Sequence, residues 1–341
     1  MNTLSKDQAK FTWKALTRPF SVLAPMEFAT DTAFRRLVTF CGKPDVMFSE
    51  FTHIDKLCVE GSDTRNRILF DRTERPLIAQ IWGNNPDHTY TAVKTLIQRG
   101  FDGIDLNMGC PTPRAIEKGS CSALIKNPTL AGELFVAAKE AAGNHAPVSI
   151  KTRLGFDHIM TERWTEFLLT FAPAALTVHG RLATELYQGS ANWEEIRKVV
   201  VLRDAMASDT VIIGNGDVQS STEILKKHTC YGVEGVMVGR AVLKNPLLFR
   251  HDEHSIESLT STQRIQLLWH HATLCRDSLG DIRGFIVIQK YFKLYITQFE
   301  NAAMLRADLA KTRSFEQLYD CLKSHIKEDV KAFSGTEQTG P

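Results

Sequence analysis

Short apolar runs recur along the chain at intervals that leave room for a helix between most of them. Each run is five to seven residues long and is bounded by Gly, Pro or polar residues. Runs of this length are typical of buried parallel strands. The eight predicted strands are residues 22–26, 46–51, 77–82, 103–108, 148–154, 175–179, 211–215 and 235–239.

Several segments between these runs repeat their apolar residues at the helical period. Apolar side chains at positions 90, 92, 93, 96 and 97 share one helix face, as do those at 130, 134, 135 and 138. Eight strand–helix units predict an α/β fold of the (β/α)8 TIM barrel type. The alternative is a doubly wound open sheet, which usually has fewer strands and a Gly-x-Gly-x-x-Gly turn after the first. No such turn follows Met26, so we favour the barrel.

Strand-like runs stop near residue 255, and helical patterns replace them. Ile265, Leu268, Trp269 and Ala272 fall on one helix face, which predicts a small C-terminal all-helical domain. The predicted organisation is an N-terminal extension (1–20), a barrel (21–252), a helical domain (253–333) and a polar, flexible tail (334–341).

The bulk composition is that of an ordinary soluble protein. The chain has 341 residues, of which 43% are hydrophobic and 23% charged, and its formal net charge is +2. No apolar run is long enough to cross a bilayer and the N-terminus is polar, so we expect a cytoplasmic protein without membrane contact. The seven cysteines are scattered without a Cys-x-x-Cys pair, which argues against disulfides and against a metal site. Nothing in the sequence indicates a dimer, so a monomer is expected.

Polar residues and glycines follow most of the predicted strands. Because the C-terminal ends of barrel strands line the active site, we expect these residues to converge at one mouth. Any one of them could be a structural residue with satisfied hydrogen bonds, but an ordered series favours a site. The series is Ala24, Pro25, Met26, Gln80, Asn107, Cys110, Lys151, Thr152, Arg153, His179, Gly180, Arg181, Asn215, Gly216, Asp217, Gly239 and Arg240.

The most informative member of the series is Cys110, which follows a buried strand at a sharp turn. Gly109 permits the bend, and Pro111 ends the strand and fixes the turn. An isolated cysteine is more often a small buried hydrophobe than a reactive group. The strand end and the turn nevertheless place this thiol on the kind of loop where α/β barrels carry out chemistry.

The residue types at the strand ends suit flavin mononucleotide (FMN). Gly216 and Gly239 offer backbone N–H groups where barrels usually bind phosphate, and Arg240 and His179 are predicted to supply charge there. A lysine near the polar edge of the flavin ring would stabilise its reduced form. The residues predicted to bind the flavin are Ala24, Pro25, Met26, Gln80, Asn107, Lys151, His179, Asn215, Gly216, Asp217, Gly239 and Arg240.

Several segments between about residues 20 and 250 resemble the motifs of the tRNA-dihydrouridine synthases. Two positions depart from the family pattern: Leu182 stands where Thr is usual, and Cys121 stands where Gly is usual. The segments that carry the resemblance are Ala-Pro-Met (24–26), Asp-Leu-Asn-Met-Gly-Cys-Pro (105–111), Lys-Thr-Arg-Leu-Gly (151–155), Val-His-Gly-Arg (178–181), Tyr-x-Gly-x-Ala-x-Trp (187–193), Asn-Gly-Asp (215–217) and Val-Gly-Arg-Ala (238–241).

The resemblance implies an FMN-dependent enzyme that reduces the C5=C6 bond of specific uridines in tRNA to dihydrouridine, with NADPH or NADH as electron source. Reduced flavin N5 would deliver hydride to C6, and Cys110 would deliver the proton to C5. A thiol of ordinary pKa, about 8.5, would be mostly protonated at neutral pH and suit this role. Asn107 is expected to hold flavin or base, and Arg153 and Arg181 to contact the substrate. For Cys121, loop packing is favoured over a role as a second acid.

A basic segment of the helical domain predicts the RNA-binding surface. Residues 283–313 contain six Lys or Arg residues and only two acidic residues. Arg283, Lys290 and Lys293 are spaced to share one face of a helix, where they would contact tRNA phosphates.

Two other functions compete with this interpretation. A flavin-dependent dehydrogenase of a free small molecule, such as dihydroorotate or a dihydropyrimidine, would have no use for a basic helical appendage. A non-catalytic RNA-binding protein built on a decayed barrel would have no reason to retain Cys110, Lys151 and His179 together.

Overall fold

The computed structural model describes residues 10–59, 65–250, 252 and 254–333. The predicted tail (334–341) and the first nine residues of the predicted extension lie outside the described residues. The strands in the described part of the chain are β1 (Phe20–Leu23), β2 (Val46–Phe48), β3 (Thr52–His53), β4 (Leu77–Trp82), β5 (Gly103–Asn107), β6 (Val148–Gly155), β7 (Ala175–Leu182), β8 (Val211–Asn215) and β9 (Gly235–Val238).

Eight of these strands close into a parallel barrel in the order β1-β2-β4-β5-β6-β7-β8-β9, with β9 paired back to β1. The short strand β3 adds to the end of β4, where Thr52 lies opposite Ile81. Each predicted strand corresponds to one strand of the ring, so the predicted (β/α)8 TIM barrel is confirmed.

Three strands end three residues away from their predicted ends, each for a local reason. The predicted strand 46–51 ends at Phe48 as β2, and Glu50 beyond it accepts a hydrogen bond from the Phe28 N–H at 2.6 Å. The first strand stops at Leu23, since Pro25 has no N–H to continue the ladder. Strand β7 runs on to Leu182, which pairs with Gly155 across an irregularity in β6.

Helices alternate with the strands as a barrel requires. Side chains at the N-caps accept backbone N–H groups at several helix starts, for example Asn85 before α3 and Asn127 before α5, each followed by Pro at the first position. The α-helices of the barrel are α1 (Thr32–Gly42), α2 (Ile54–Cys58), α3 (Pro86–Gln98), α4 (Pro113–Glu117), α5 (Pro128–Ala142), α6 (Thr161–Leu169), α7 (Trp193–Ala205), α8 (Ser221–Tyr231) and α9 (Arg240–Lys244).

The N-terminal end of the barrel is closed by aromatic side chains. Trp13, from the segment predicted as an extension, is buried with its ring centroid 5.9 Å from Phe20 and 6.2 Å from Phe48. Burying large aromatic side chains here stabilises the closed ring and leaves the opposite, C-terminal mouth as the open end.

The described residues after the barrel form helices and no strands, as predicted. They pack on α1 through side chains such as Tyr291, whose ring stacks on Phe34 at 5.7 Å and whose hydroxyl donates to the carbonyl of Ala29 at 3.5 Å. The last five α-helices are therefore fixed beside the loop that follows β1. They are α10 (Ser261–Leu279), α11 (Asp281–Gln289), α12 (Phe292–Tyr295), α13 (Ala302–Leu309) and α14 (Phe315–Lys323).

Candidate active site

A cavity of about 670 Å³ opens at the C-terminal ends of the barrel strands. Its size and mixed lining are those of a cofactor or substrate site. All of the residues predicted to bind the flavin line it, together with Cys110 and Arg153. These residues are Ala24, Pro25, Met26, Gln80, Asn107, Lys151, His179, Asn215, Gly216, Asp217, Gly239 and Arg240.

The loop that carries Cys110 is held by the last residue of β5. Asn107 Oδ1 accepts the backbone N–H groups of Gly109 at 3.1 Å and Cys110 at 2.9 Å. From the neighbouring strand β6, Arg153 Nε donates to the Gly109 carbonyl at 2.7 Å. Backbone and side-chain bonds therefore fix the position of the Cys110 thiol before any ligand enters the cavity.

A chain of buried hydrogen bonds orients Asn107 in turn. Gln80 Oε1 accepts from Asn107 Nδ2 at 3.0 Å, and Gln80 Nε2 donates to Asp105 Oδ2 at 2.7 Å. Ser149 Oγ donates to the other oxygen of Asp105 at 2.7 Å. Burial raises the pKa of Asp105 to about 6, and the two hydrogen bonds oppose that rise. Asn107 is thus committed to holding the Cys110 loop, a role that sequence reasoning did not predict.

The thiol of Cys110 is not in an ordinary environment. The thiol of Cys121, which is buried, hydrogen-bonds to the Cys110 sulfur and lowers the pKa of Cys110 to about 6, against the opposing effect of burial. Thr112 Oγ1 lies 3.5 Å from the same sulfur. Burial raises the pKa of Cys121 well above its ordinary value, so Cys121 keeps its proton. The expectation of an unperturbed thiol at Cys110 is therefore not met, and Cys121 does more than pack the loop.

Lys151 brings a positive charge into the cavity without a hydrogen-bond acceptor from the described residues. Burial, and then repulsion by Arg153, lower the pKa of its ammonium from 10.5 to about 8. An unpaired buried cation is costly, and a ligand with negative or carbonyl oxygens would offset that cost. The group therefore fits the electron-rich edge of a flavin or a uracil.

His179 is a neutral imidazole in this site. Burial and the nearby charges of Lys151, Arg153, Arg181 and Arg240 all lower its pKa strongly. Since a guanidinium only donates, the 3.2 Å contact from Arg181 Nη1 makes His179 Nε2 the acceptor and leaves the proton on Nδ1. The prediction that His179 supplies charge to a phosphate is wrong, but the residue still offers an N–H donor.

The ends of β8 and β9 form a cradle suited to a phosphate. Gly216 has φ +131, and a Cβ there would lie 2.5 Å from the Ala191 side chain, so only glycine fits this position. Gly239 borders the cavity, and Arg240 beside it is exposed. Asp217 lies between Arg181 at 2.6 Å and Arg240 at 3.3 Å. Burial opposes ionisation of this carboxyl, but hydrogen bonds from Arg181 and the Ala191 N–H outweigh it and lower its pKa.

The two arginines predicted to contact substrate are both engaged by the protein. Arg153 is 3% exposed and, besides Gly109, donates to the carbonyls of Leu182 at 2.8 Å and Leu186 at 3.0 Å. Arg181 is 1% exposed, does not line the cavity, and donates to the carbonyls of residues 188 and 189. Both arginines tie the active-site loops together, and their contact with a substrate stays a prediction.

Comparison with known proteins decides the family. The profile of the family described as dihydrouridine synthase (Dus) matches residues 22–331. The chain belongs to the dihydrouridine synthase family. A probable tRNA-dihydrouridine synthase 2 of Bacillus subtilis (strain 168) is 38% identical over 311 residues, which are 90% of this chain and 94% of the relative. A probable tRNA-dihydrouridine synthase of Staphylococcus aureus (strain MRSA252) is 37% identical over 327 residues, 94% of this chain and 98% of the relative.

Solved structures of other proteins share the barrel. Histamine dehydrogenase from Rhizobium sp. 4-9 superposes with a TM-score of 0.53 at 15% identity, covering 74% of this chain and 48% of its own. Morphinone reductase in complex with tetrahydroNAD gives a TM-score of 0.50 at 13% identity, covering 71% and 89%. At these identities the likeness concerns the fold alone.

The protein carries two exposed aromatic residues at the cavity mouth that sequence reasoning did not select. Phe28, in the loop after β1, is 70% exposed, and Tyr187, in the loop after β7, is 59% exposed. An arginine lies over each ring: Arg67 is 5.2 Å from the Phe28 centroid, and Arg240 is 4.8 Å from that of Tyr187. Tyr187 belongs to a matched motif, whereas Phe28 had no sequence signal beyond its place after Ala-Pro-Met.

The predicted RNA-contacting cations of the helical region are all exposed, but they do not share one helix. Arg283 lies on α11, Lys290 follows its last residue, and Lys293 lies on α12. The single helical face predicted from their spacing is wrong, because α11 ends at Gln289 and α12 begins at Phe292. The positive charge of Arg283 acts on Asp31 at the start of α1, which places it beside the loop after β1.

Two absences hold for the residues that the structure describes. None of their helices is both long and apolar enough to cross a membrane. No group of three or more His, Cys, Asp or Glu side chains among them is arranged to hold a metal ion.

Proposed function

We propose that this protein is an FMN-dependent enzyme that reduces the C5=C6 bond of specific uridines in tRNA to dihydrouridine. The observation that carries the proposal is one cavity that brings together the oriented Cys110 thiol, the unpartnered Lys151 ammonium and a glycine-lined cradle. The names of relatives at 37–38% identity support tRNA as the substrate. A tRNA substrate also supports action in the cytoplasm, and we propose that the protein acts there as a monomer.

The residues of the cavity fit FMN. Gly216 and Gly239 leave backbone N–H groups open to a phosphate, and the exposed Arg240 adds charge. Gln80 and Lys151 would hydrogen-bond the polar edge of the ring, and Met26 borders the same space. When bound, FMN reduced by NADPH or NADH supplies the hydride that adds to C6 of uracil.

Cys110 would supply the proton that adds to C5. When the sulfur of Cys110 faces water, its pKa of about 6 favours the thiolate at neutral pH. The thiolate has no proton to donate and is the wrong form for a proton donor. A flavin and a uracil packed over the sulfur would remove water and raise the pKa of Cys110, because desolvation disfavours the charged form. The protonated Cys121 beside it keeps a proton in contact with the sulfur throughout.

Access to this cavity requires an unstacked base. A cavity of about 670 Å³ is too small for a base pair within a duplex, so the uridine must leave its stack, at a cost of a few kcal/mol. Arg283, Lys290 and Lys293 are exposed on the helical region that packs against α1 and the loop after β1, and they would offset that cost by binding phosphates. Arg153 and Arg181 would act on the substrate through the loops that they hold.

Nucleoside mass spectrometry tests this function. Unmodified tRNA is incubated with the protein, FMN and NADPH, beside the Cys110→Ala variant. The expected result is a uridine gaining the mass of two hydrogen atoms with the wild type and not with the variant. Bound flavin without dihydrouridine on any tRNA would contradict the proposal and favour a dehydrogenase of a free small molecule. Dihydrouridine formed equally by the variant would remove Cys110 from the mechanism.

A further inference from the structure

Phe28 combines two unfavourable features at the cavity mouth. Its ring is 70% exposed, and its backbone has φ +60, in the left-handed region that bulky residues rarely adopt. Packing does not offset the cost of either feature, because the ring does not enter the core. Strained conformations of this kind persist where the surrounding structure enforces them and are concentrated at functional sites.

The surrounding structure enforces this conformation through three contacts. Glu50 is 4% exposed and accepts the Phe28 N–H at 2.6 Å. Thr30 Oγ1 accepts the Met26 N–H at 2.9 Å, which closes the turn. Arg67 pairs with Glu27 at 3.0 Å and lies over the Phe28 ring. The ring is therefore held by its backbone and backed by a cation on one face, with most of its surface left open.

An exposed aromatic ring that is backed by a guanidinium is the geometry on which unpaired nucleobases stack. The cations Arg67 and Arg283 near this loop suit the phosphates that accompany such a base. We propose that Phe28 is a stacking platform for an unpaired base of the RNA that lies next to the uridine entering the cavity. This inference rests on the proposed function, since the uridine itself must pass the rim to reach Cys110 and Lys151.

A flat heterocycle could also come from the nicotinamide dinucleotide that reduces the flavin. The RNA base is favoured because Phe28 lies at the rim on the side of the helical region, with the Arg67 guanidinium over its ring, rather than among the residues of the phosphate cradle. The experiment distinguishes the RNA base from the nicotinamide dinucleotide because the KM for tRNA and the KM for NADPH are measured separately.

The test compares Phe28→Gly and Phe28→Tyr with the wild type, and Tyr90→Ala serves as a control for loss of an exposed aromatic ring on the barrel's outer surface. Glycine accepts φ +60 without strain, so Phe28→Gly keeps the loop while removing the ring. We expect the KM for tRNA to rise about tenfold with a smaller change in kcat, the size expected for one stacked base. Phe28→Tyr should restore the wild-type KM to within about twofold, since tyrosine also stacks, and Tyr90→Ala should leave it unchanged.

Direct binding gives a readout that does not need turnover. Fluorescence anisotropy of labelled tRNA should show weaker binding by Phe28→Gly and not by Tyr90→Ala. A KM and affinity for tRNA that are unchanged in Phe28→Gly would overturn the platform, as would a larger effect on the KM for NADPH. If the wild type forms no dihydrouridine yet Phe28→Gly binds tRNA more weakly, the enzymatic function fails while the platform stands as an RNA contact.

Discussion

Two regions of the active-site cavity are built in opposite ways. In the inner site, comprising Gln80, Asn107, Cys110 and Lys151, the two amides are buried and the thiol and the lysine are half-buried, and its orientation comes from hydrogen bonds that begin at Asp105. The rim, comprising Phe28, Arg67, Tyr187 and Arg240, presents exposed rings paired with guanidinium groups. Preorganised buried polar groups are suited to chemistry, and exposed aromatic and cationic groups to binding a large, flexible partner. The difference predicts that inner-site substitutions lower kcat, whereas removal of the Phe28 ring at the rim raises the KM for RNA.

Stability and activity are expected to change in opposite directions at Lys151. Its positive charge lowers the stability of the unliganded protein but assists the reaction. Replacing it by Met removes a buried ammonium, so we expect the unliganded protein to become more stable by on the order of 1–2 kcal/mol near pH 7. The same change should lower kcat about a hundredfold, because the cation at the reacting rings is lost. Thermal unfolding and steady-state kinetics measure the two effects, with the exposed Lys226→Met as control.

The pKa of Lys151 also predicts a pH dependence. Its folded pKa, about 8, lies below its ordinary value of 10.5, so the unfolded chain holds the proton to higher pH. Stability should therefore rise between about pH 8 and 10.5, while FMN affinity should fall as pH rises through 8. Lys151→Met should show neither trend, and an identical pH profile in that variant would contradict the assignment.

The next effect tests the hydrogen-bond chain behind Cys110. Gln80→Leu leaves Asn107 Nδ2 and one oxygen of Asp105 without their partner, which should cost about 1–3 kcal/mol of stability. A loosened Cys110 loop should lower kcat about tenfold. Ser149→Ala removes the other bond to Asp105 without touching Asn107, so its effect on kcat should be smaller. Equal losses of kcat would show that the chain acts through stability alone.

These inner-site contacts show which features of the structure could be predicted from the sequence and which could not. The strand periodicity predicted the barrel, and the residues at the strand ends predicted the cavity and twelve of the positions that line it. These features follow from the local sequence pattern. The bond between Gln80 and Asp105, the contact of Cys121 with Cys110 and the neutral state of His179 depend on side chains brought together from different strands and loops. The break between α11 and α12 and the positive φ of Phe28 are likewise set by packing rather than by spacing.

Substitution of Cys121 is expected to have a smaller effect on the reaction. Cys121 has φ +55, and its thiol donates a hydrogen bond to the Cys110 sulfur. Cys121→Gly relieves the backbone and removes the donor, so the pKa of Cys110 should rise from about 6 towards an ordinary thiol value. Cys121→Ser keeps a donor and should stay near the wild type. The pH dependence of alkylation at Cys110, resolved by peptide mass spectrometry with the exposed Cys230 as reference, measures the shift. The same midpoint in the Gly variant would contradict the contact.

The smallest effects belong to the exposed cations of the helical region. Lys290→Gln and Lys293→Gln should each weaken tRNA binding a few-fold and reduce the slope of log affinity against log salt by about one. Neither should alter kcat at saturating tRNA, since both side chains lie outside the cavity. Lys226→Gln, on the outer surface at α8, is the matched control. If the salt dependence of tRNA binding is unchanged in all three variants, tRNA must bind to another surface of the protein.

The most direct test of flavin-dependent uridine reduction with Cys110 as proton donor is a single turnover without oxygen. Protein loaded with FMN is reduced with one equivalent of NADPH and mixed with unmodified tRNA, and flavin absorbance and dihydrouridine are followed together. The wild type is expected to reoxidise its flavin as dihydrouridine appears in equal amount. Cys110→Ala should bind the same amount of FMN, become reduced, and then form dihydrouridine at least a hundredfold more slowly. Dihydrouridine formed by Cys110→Ala at the wild-type rate would show that Cys110 is not the proton donor.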